Sequence, residues 1–126
     1  MKFIHTGLPA SSEKKADSFF VDILGLEKSA PKTLNKNLSQ ALFGINNELP
    51  VINYKDENIH FEIIIYPDYK IPDKQIAHFC IHVNDLKNFI SKCKNAHLEV
   101  TEVLKETGSV VTFVSDYDGN LFELKG

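Results

Sequence analysis

The closing stretch of the chain, Phe113-Val-Ser-Asp-Tyr-Asp-Gly-Asn-Leu-Phe-Glu-Leu-Lys-Gly126, places a turn between two apolar runs. Asp118-Gly119 is a strong signal for a tight turn, because glycine adopts positive φ at no steric cost. The sequence therefore predicts a closing β-hairpin, with disorder confined to Lys125 and Gly126. Its last strand carries a single acid, Glu123.

The composition is that of one soluble globular domain. The 126 residues are 43% hydrophobic and 25% charged, which is ordinary for this class. A net charge of -3 without a basic stripe predicts no nucleic-acid partner, because binding to phosphates needs clustered positive charge. All fourteen basic residues are lysines, so a bound anion would meet no guanidinium fork.

The expected location is the cytoplasm. The longest apolar run is far shorter than a membrane span, so no membrane partner is predicted. The start of the chain, Met1-Lys-Phe-Ile-His5, lacks the apolar core of a signal peptide. Two cysteines, Cys80 and Cys93, are too few to frame a small secreted fold, and reduced thiols are expected.

The first half of the chain predicts one strand, one helix and further strands. Residues 2–8 predict a strand, and a helix with one apolar stripe follows it (Ala16, Phe19, Phe20, Ile23 and Leu24). Ser11 or Ser12 can cap this helix and Gly25 can end it. Strands are predicted at 38–45 and 60–66, with a weaker one at 26–34 and a polar loop at 46–58.

The second half repeats this order after a charged linker at 68–74. Residues 76–83 predict a strand, Asn84 or Asp85 a cap, and a second apolar stripe a helix (Leu86, Phe89, Ile90, Cys93 and His97). This helix is predicted to end at His97-Leu-Glu99, as the first is predicted to end at the similar Gly25-Leu-Glu27. The prediction is an α+β fold in which residues 1–126 form one domain of two tandem βαβββ modules, 1–67 and 75–126.

Each predicted module contains a histidine early and a glutamate late. His5 and His78 lie 73 residues apart, and Glu62 and Glu123 lie 61 apart, which fits a shorter loop in the second module. Side chains alternate along a strand, and the apolar neighbours of these residues occupy the opposite face. One face of the sheet is therefore core, and the other gathers two imidazoles and two carboxylates.

Imidazole nitrogen and carboxylate oxygen together suit a divalent first-row metal ion. Four protein ligands would leave positions open for water or a chelating substrate, as catalytic sites do. The competing interpretation is a solvated surface on which Glu62 and Glu123 bind nothing. Cys80 and His82 share the face of His78, so a Cys-His nucleophile pair is an alternative, although such i, i+2 neighbours lie about 6.6 Å apart and are poorly placed for a direct hydrogen bond.

The chain resembles the vicinal oxygen chelate superfamily, which includes glyoxalases, bleomycin-resistance proteins and extradiol dioxygenases. The resemblance spans nearly the whole chain and is closest to the glyoxalase I branch. It rests on residues 3–8, 19–26, 59–63, 77–86 and 113–124, the last with Tyr117 where such families usually have proline. It implies two βαβββ modules whose mixed sheet curls around a cavity, with helices on the outer face. Homodimers whose chains share sites are also implied.

The same resemblance implies a metal site at His5, Glu62, His78 and Glu123. One divalent transition ion (Zn, Ni, Co, Mn or Fe) would chelate two neighbouring oxygens of a small substrate and stabilise an enediolate-like intermediate. Glu123 would be the first candidate base and Glu62 a ligand or second base. The implied activity is that of a glyoxalase-like lyase or isomerase.

Other branches of the superfamily remain open. A metal-free, drug-sequestering protein of the bleomycin-resistance type is one alternative, and an epimerase, a thiol transferase or an extradiol dioxygenase is another. The acid at Glu62 argues against the fosfomycin transferases. Glyoxalase I enzymes commonly hold the carboxylates of glutathione with arginine, and the absence of arginine here argues against that thiol.

Overall fold

A computed structural model describes all 126 residues. The chain forms two compact units, unit one (Met1–Tyr69) and unit two (Lys70–Gly126), and the division falls within the predicted linker 68–74. That these units make one domain stays a prediction. No helix is long and apolar enough to cross a membrane.

Unit one is a mixed β-sheet with short helices. Its elements are β1 (Thr6–Ala10), α1 (Glu13–Ala16) running into a π-helical turn (Asp17–Val21), β2 (Glu27–Lys28), β3 (Lys32–Leu34), α2 (Lys36–Phe43), β4 (Leu49–Lys55) and β5 (His60–Ile65). The strand order is β1-β5-β4-β2, with β3 also paired to β4. β1 runs parallel to β5, and the other pairs are antiparallel.

The core of unit one lies between the first helix and the sheet. Phe20 is fully buried and its ring lies 5.2 Å from that of Tyr54 and 5.3 Å from that of Phe61. Burial raises the pKa of the Tyr54 hydroxyl, which donates to Asp17 Oδ1 over 2.7 Å. This bond ties the helix to β4 and leaves no buried hydroxyl unpaired at the contact.

The predicted ends of the first helix hold, but the predicted strand before it is shifted. The Ser12 side chain accepts from the amide of Lys15, and Gly25 has a φ of 73°. β1 starts at Thr6 and ends at the buried Ala10, so His5 precedes the strand. Pro9 is tolerated within it because β1 is an edge strand, which needs fewer backbone donors.

Two predictions for 38–58 are wrong. The expected strand at 38–45 is mostly the helix α2, because Asn35 caps it through the amide of Leu38 and Gly44 ends it with a φ of 69°. The expected loop at 46–58 contains β4, in which Ile52 and Tyr54 are fully buried. Asn53 between these buried side chains, and Pro50 near the start of the strand, obscured the strand alternation.

Unit two has the βαβββ order without the additional elements. It contains β6 (His78–His82), α3 (Leu86–Asn95), β7 (Val100–Leu104), β8 (Val110–Ser115) and β9 (Leu121–Lys125), with strand order β6-β9-β8-β7. β6 and β9 are parallel, as β1 and β5 are in unit one. Asp85 caps α3, and His97 follows it with a φ of 60° where unit one has Gly25. The repeat in the sequence is thus a repeat in structure.

The closing hairpin is held by a buried polar turn. Asp116 Oδ1 accepts from the amides of Asp118 and Asn120, each over 2.9 Å, and its Oδ2 accepts from Asn120 Nδ2 over 2.7 Å. Burial raises the pKa of the Asp116 carboxyl to about 6, against these hydrogen bonds. Tyr117 keeps the turn intact and donates its hydroxyl to the carbonyl of Ala96 over 2.8 Å. Lys125, expected to be disordered, is the last residue of β9.

The predicted α+β class with two modules is confirmed, and each module has an open mixed sheet of its own. The parity prediction also holds: Phe61, Ile63, Phe122 and Leu124 are buried on the core face of their strands. Glu62 and Glu123, between them, point to the opposite face.

Candidate metal centre

The first predicted pair comes together in unit one. Gly7 of β1 lies opposite Glu62 of β5, and His5 stands two residues before Gly7. This diagonal across adjacent strands is within reach of long side chains. His5 Nε2 lies 3.7 Å from Glu62 Oε2, and both side chains are partly exposed, at 39% and 33%.

The second predicted pair repeats this arrangement in unit two. Cys80 of β6 lies opposite Glu123 of β9, and His78 stands two residues before Cys80. His78 Nε2 lies 3.7 Å from Glu123 Oε2, the same separation as in unit one. The two glutamates differ in exposure, since the side chain of Glu123 is 20% exposed.

A hydrogen bond orients the His78 ring. Its Nδ1 lies 2.8 Å from the carbonyl oxygen of Ile76, an acceptor, so Nδ1 carries the proton and donates it. In the neutral ring, Nε2 then has a lone pair aimed at the Glu123 carboxylate. A cation between these two acceptors would interact favourably with both, and backbone orientation of a metal-binding imidazole is a common arrangement.

The separations fit ligation of a metal ion. Nitrogen and oxygen ligands bind divalent transition metals at about 2.0–2.2 Å, so two ligands of one ion can lie up to about 4.2 Å apart. Both His-Glu separations, 3.7 Å, are below this limit. Each pair could therefore supply two ligand positions. No group of three or more His, Cys, Asp or Glu side chains suited to a metal ion is present.

Glu123 has partners that the sequence reasoning missed. Lys125 Nζ donates to Glu123 Oε1 over 2.7 Å, and this bond lowers the pKa of the Glu123 carboxyl. The Cys80 thiol also bonds to Glu123 and contributes to the same shift, so this thiol is directed to the carboxylate rather than to His82. The i, i+2 spacing of Glu123 and Lys125 could have indicated this ion pair, because it puts both side chains on one face of the strand.

A cavity of about 530 Å³ lies beside the first pair. His5 and Glu62 line it, together with apolar and aromatic side chains that include Phe43, Ile64 and Tyr66. Sequence reasoning missed the contribution of Phe43 because it assigned 38–45 to a strand. The capping signal of Asn35 and the glycine at 44 could have revealed the helix that ends there.

The chain belongs to the Glyoxalase/Bleomycin resistance protein/Dioxygenase superfamily, whose sequence profile matches residues 2–124. No curated protein matches the chain.

Solved structures share the fold. A glyoxalase family protein from Enterococcus faecalis is 20% identical over 98% of this chain and 95% of that one, with a TM-score of 0.75. A mutant of the fosfomycin resistance protein FosX from Listeria monocytogenes, complexed with Mn(II) and 1S,2S-dihydroxypropylphosphonic acid, is 16% identical over 98% and 90%, with a TM-score of 0.73. The trypanothione-dependent glyoxalase I of Leishmania major is 20% identical over 98% and 85%, with a TM-score of 0.69.

Proposed function

We propose that this protein is a divalent-metal-dependent, glyoxalase-like lyase or isomerase that acts on two vicinal oxygens of a small substrate. The observation that carries the proposal is the repeat of one His-Glu arrangement, at 3.7 Å in both units. Neither unit supplies more than half of a four-ligand site by itself. We therefore assign His5, Glu62, His78 and Glu123 to one ion.

The residues have distinct roles in this proposal. His5 and His78 are fixed ligands, and the bond from His78 Nδ1 to Ile76 holds its ring in place. When bound, the ion would polarise the two substrate oxygens and stabilise the charge that develops on them. Glu123 accepts the proton from the carbon next to these oxygens, and Glu62 is a ligand or second base. Lys125 holds one oxygen of Glu123 and leaves Oε2 facing His78.

Two further observations support metal chemistry of this type. The FosX mutant structure, which shares the fold, contains Mn(II) and a ligand with neighbouring hydroxyl groups. In this chain, the hydrogen bond of His78 Nδ1 to Ile76 leaves Nε2 as the ring nitrogen that faces the Glu123 carboxylate, 3.7 Å away. The choice among Zn, Ni, Co, Mn and Fe is left to reconstitution, since all accept these ligands.

We also infer a cytoplasmic homodimer with shared sites, as the family resemblance implies. Complementation tests this. A chain lacking the first pair (His5→Ala with Glu62→Ala) is mixed with one lacking the second (His78→Ala with Glu123→Ala). If each ion is shared between chains, the mixture regains turnover that neither variant has alone. No recovery in a mixture that has demonstrably exchanged chains contradicts sharing.

The activity is tested by reconstituting metal-free protein with each of the five ions. Turnover is then measured with hemithioacetals, fosfomycin with and without thiol, catechols and acyl-CoA epimers. We expect metal-dependent turnover of at least one class, lost in His78→Ala and kept in His82→Ala, an exposed histidine on the same strand. Protein that binds no metal and turns over none of them would instead support the metal-free binding function.

A further inference from the structure

The cavity beside His5 and Glu62 has the chemistry of an apolar binding pocket. Ten residues line it, and none of them is a lysine. Its ionisable side chains besides His5 and Glu62 are two tyrosines, Tyr66 and Tyr69. An anionic substituent placed there would lose water and meet no lysine, which is unfavourable.

The cavity continues directly from the first pair along β5. Glu62 and Ile64 share one face of this strand, and Tyr66 follows at the same spacing, with about 6.6 Å between successive members. A group bound over Ile64 and Tyr66 would thus lie between about 6.6 and 13 Å from Glu62 along the strand. The volume of about 530 Å³ holds a substituent larger than a methyl group.

One wall of the cavity is formed by the end of α2, which the sequence did not predict as a helix. Phe43 is the last residue of this helix, and its side chain is 51% exposed although it is aromatic. Gly44 then turns the chain with a positive φ, and Ile45 also lines the cavity. An exposed phenylalanine beside an apolar pocket is a surface that a bound apolar group would cover.

We propose that this cavity binds an uncharged aromatic or branched aliphatic group of the substrate, whose vicinal oxygens lie at the metal. The substrate class is therefore a small α-hydroxycarbonyl or similar chelating compound with an apolar substituent, not an anionic peptide thiol. The inference rests on the proposed function for the position of the oxygens, and on the cavity alone for the apolar group.

Two hydroxamic acids test the substituent, because both chelate metals through two neighbouring oxygens. Benzohydroxamic acid carries a phenyl ring, and acetohydroxamic acid carries a methyl group in its place. With cobalt-loaded protein and the cobalt absorption spectrum as readout, we expect the phenyl compound to bind at least about tenfold more tightly, the scale of an apolar pocket preference. Equal affinities would overturn the inference while leaving metal binding intact.

A matched pair of variants locates the preference. Phe43→Ser removes a lining ring, and Leu42→Ser changes its exposed neighbour on the same helix, which does not line the cavity. The preference should fall severalfold in Phe43→Ser and stay unchanged in Leu42→Ser. Ile64→Asn is a second lining variant in case Phe43→Ser misfolds. A preference that survives both lining variants would place the phenyl group elsewhere and refute the proposal.

A metal-free measurement separates this inference from the proposed function. The uncharged fluorophore N-phenyl-1-naphthylamine should bind the protein without metal, and Phe43→Ser should weaken its binding severalfold relative to Leu42→Ser. If no metal binds but this difference is seen, the proposed function fails and the apolar pocket stands. If the fluorophore does not bind, or binds both variants equally, the pocket assignment fails.

Discussion

The two units place the same pair of residues in different surroundings. In both, a histidine at or just before the start of one strand lies 3.7 Å from a glutamate on the parallel neighbouring strand. Beside the first pair is an apolar cavity, and the residue two places after Glu62 is Ile64. At the second pair, Lys125 takes that position and bonds to Glu123. The ligand geometry is thus the same in both copies of the repeat, while the neighbours of each pair differ: they are apolar in unit one and include a cation in unit two.

The turns before the two glutamate strands differ in a related way. In unit one, Asp56 Oδ1 accepts from the amides of Asn58 and Ile59 at an exposed turn. In unit two, Asp116 makes a similar pair of bonds in a buried turn and adds a side-chain bond to Asn120. A turn in which an aspartate carboxylate accepts from two backbone amides thus precedes both glutamate strands, and it is exposed before Glu62 and buried before Glu123.

Replacing the two glutamates one at a time should have the greatest effect on turnover and should distinguish their roles. Glu123→Gln should lower turnover by at least about 100-fold, because a general base contributes on that scale, while much of the bound metal is retained. Glu62→Gln should lower it less. Steady-state kinetics and metal content of the purified variants check this, with Glu102→Gln on the exposed part of β7 as control. Full activity in Glu123→Gln contradicts the assignment of the base.

The next effect concerns the buried turn and pH. Burial raises the native pKa of Asp116 from 3.8 to about 6, so the folded protein binds this proton more tightly than the unfolded chain. The resulting stability is fully present below pH 3.8 and is lost as the pH rises through 6. Relative to Asp116→Asn, the free energy of unfolding of the wild type should fall by roughly 2–3 kcal/mol over this interval.

Denaturant unfolding at several pH values measures this difference. Asp56→Asn, which makes the same change at the exposed turn of unit one, is the matched control. Parallel profiles for the wild type and Asp116→Asn would show that burial of this carboxyl has no energetic consequence in the accessible range.

A smaller effect is expected on the pKa of Glu123 when its neighbour Lys125 is replaced. The hydrogen bond from Lys125 is the largest cause of the lowered pKa of Glu123, so Lys125→Met should raise that pKa toward its ordinary value. Lys125→Arg, which keeps the charge, should leave it lowered. The pKa of Glu123 is measured from the pH dependence of its carboxyl ¹³C chemical shift in the metal-free protein. An unchanged Glu123 titration in Lys125→Met would mean that the ion pair does not persist in solution.

Much of the fold could be predicted because local signals agreed with one another. Ser12 and Asp85 cap the helices as expected, and the turn at Gly119 forms with a φ of 80°. The strand parity that turned Glu62 and Glu123 away from the core followed from period two alone. The repeat predicted one histidine and one glutamate in each module, and within each unit the structure places these two side chains 3.7 Å apart.

The secondary structure of residues 38–58 was predicted wrongly for physical reasons. Leu38, Leu42 and Phe43 of α2 are all about half exposed or more, so this helix has no buried apolar stripe to reveal its period. In β4, Pro50 and Asn53 stand where strand residues are usually β-branched. Side-chain contacts such as Lys125 with Glu123 depend on rotamers, which a sequence pattern does not specify.

Metal stoichiometry after reconstitution tests whether both His-Glu pairs ligate one ion, as we propose. The wild type and His82→Ala should bind about one ion per chain, and His5→Ala and His78→Ala should each lose tight binding, since every ligand contributes to one site. Retention of the ion after loss of either histidine, or a wild type that takes up none, would mean that the two pairs do not ligate one ion.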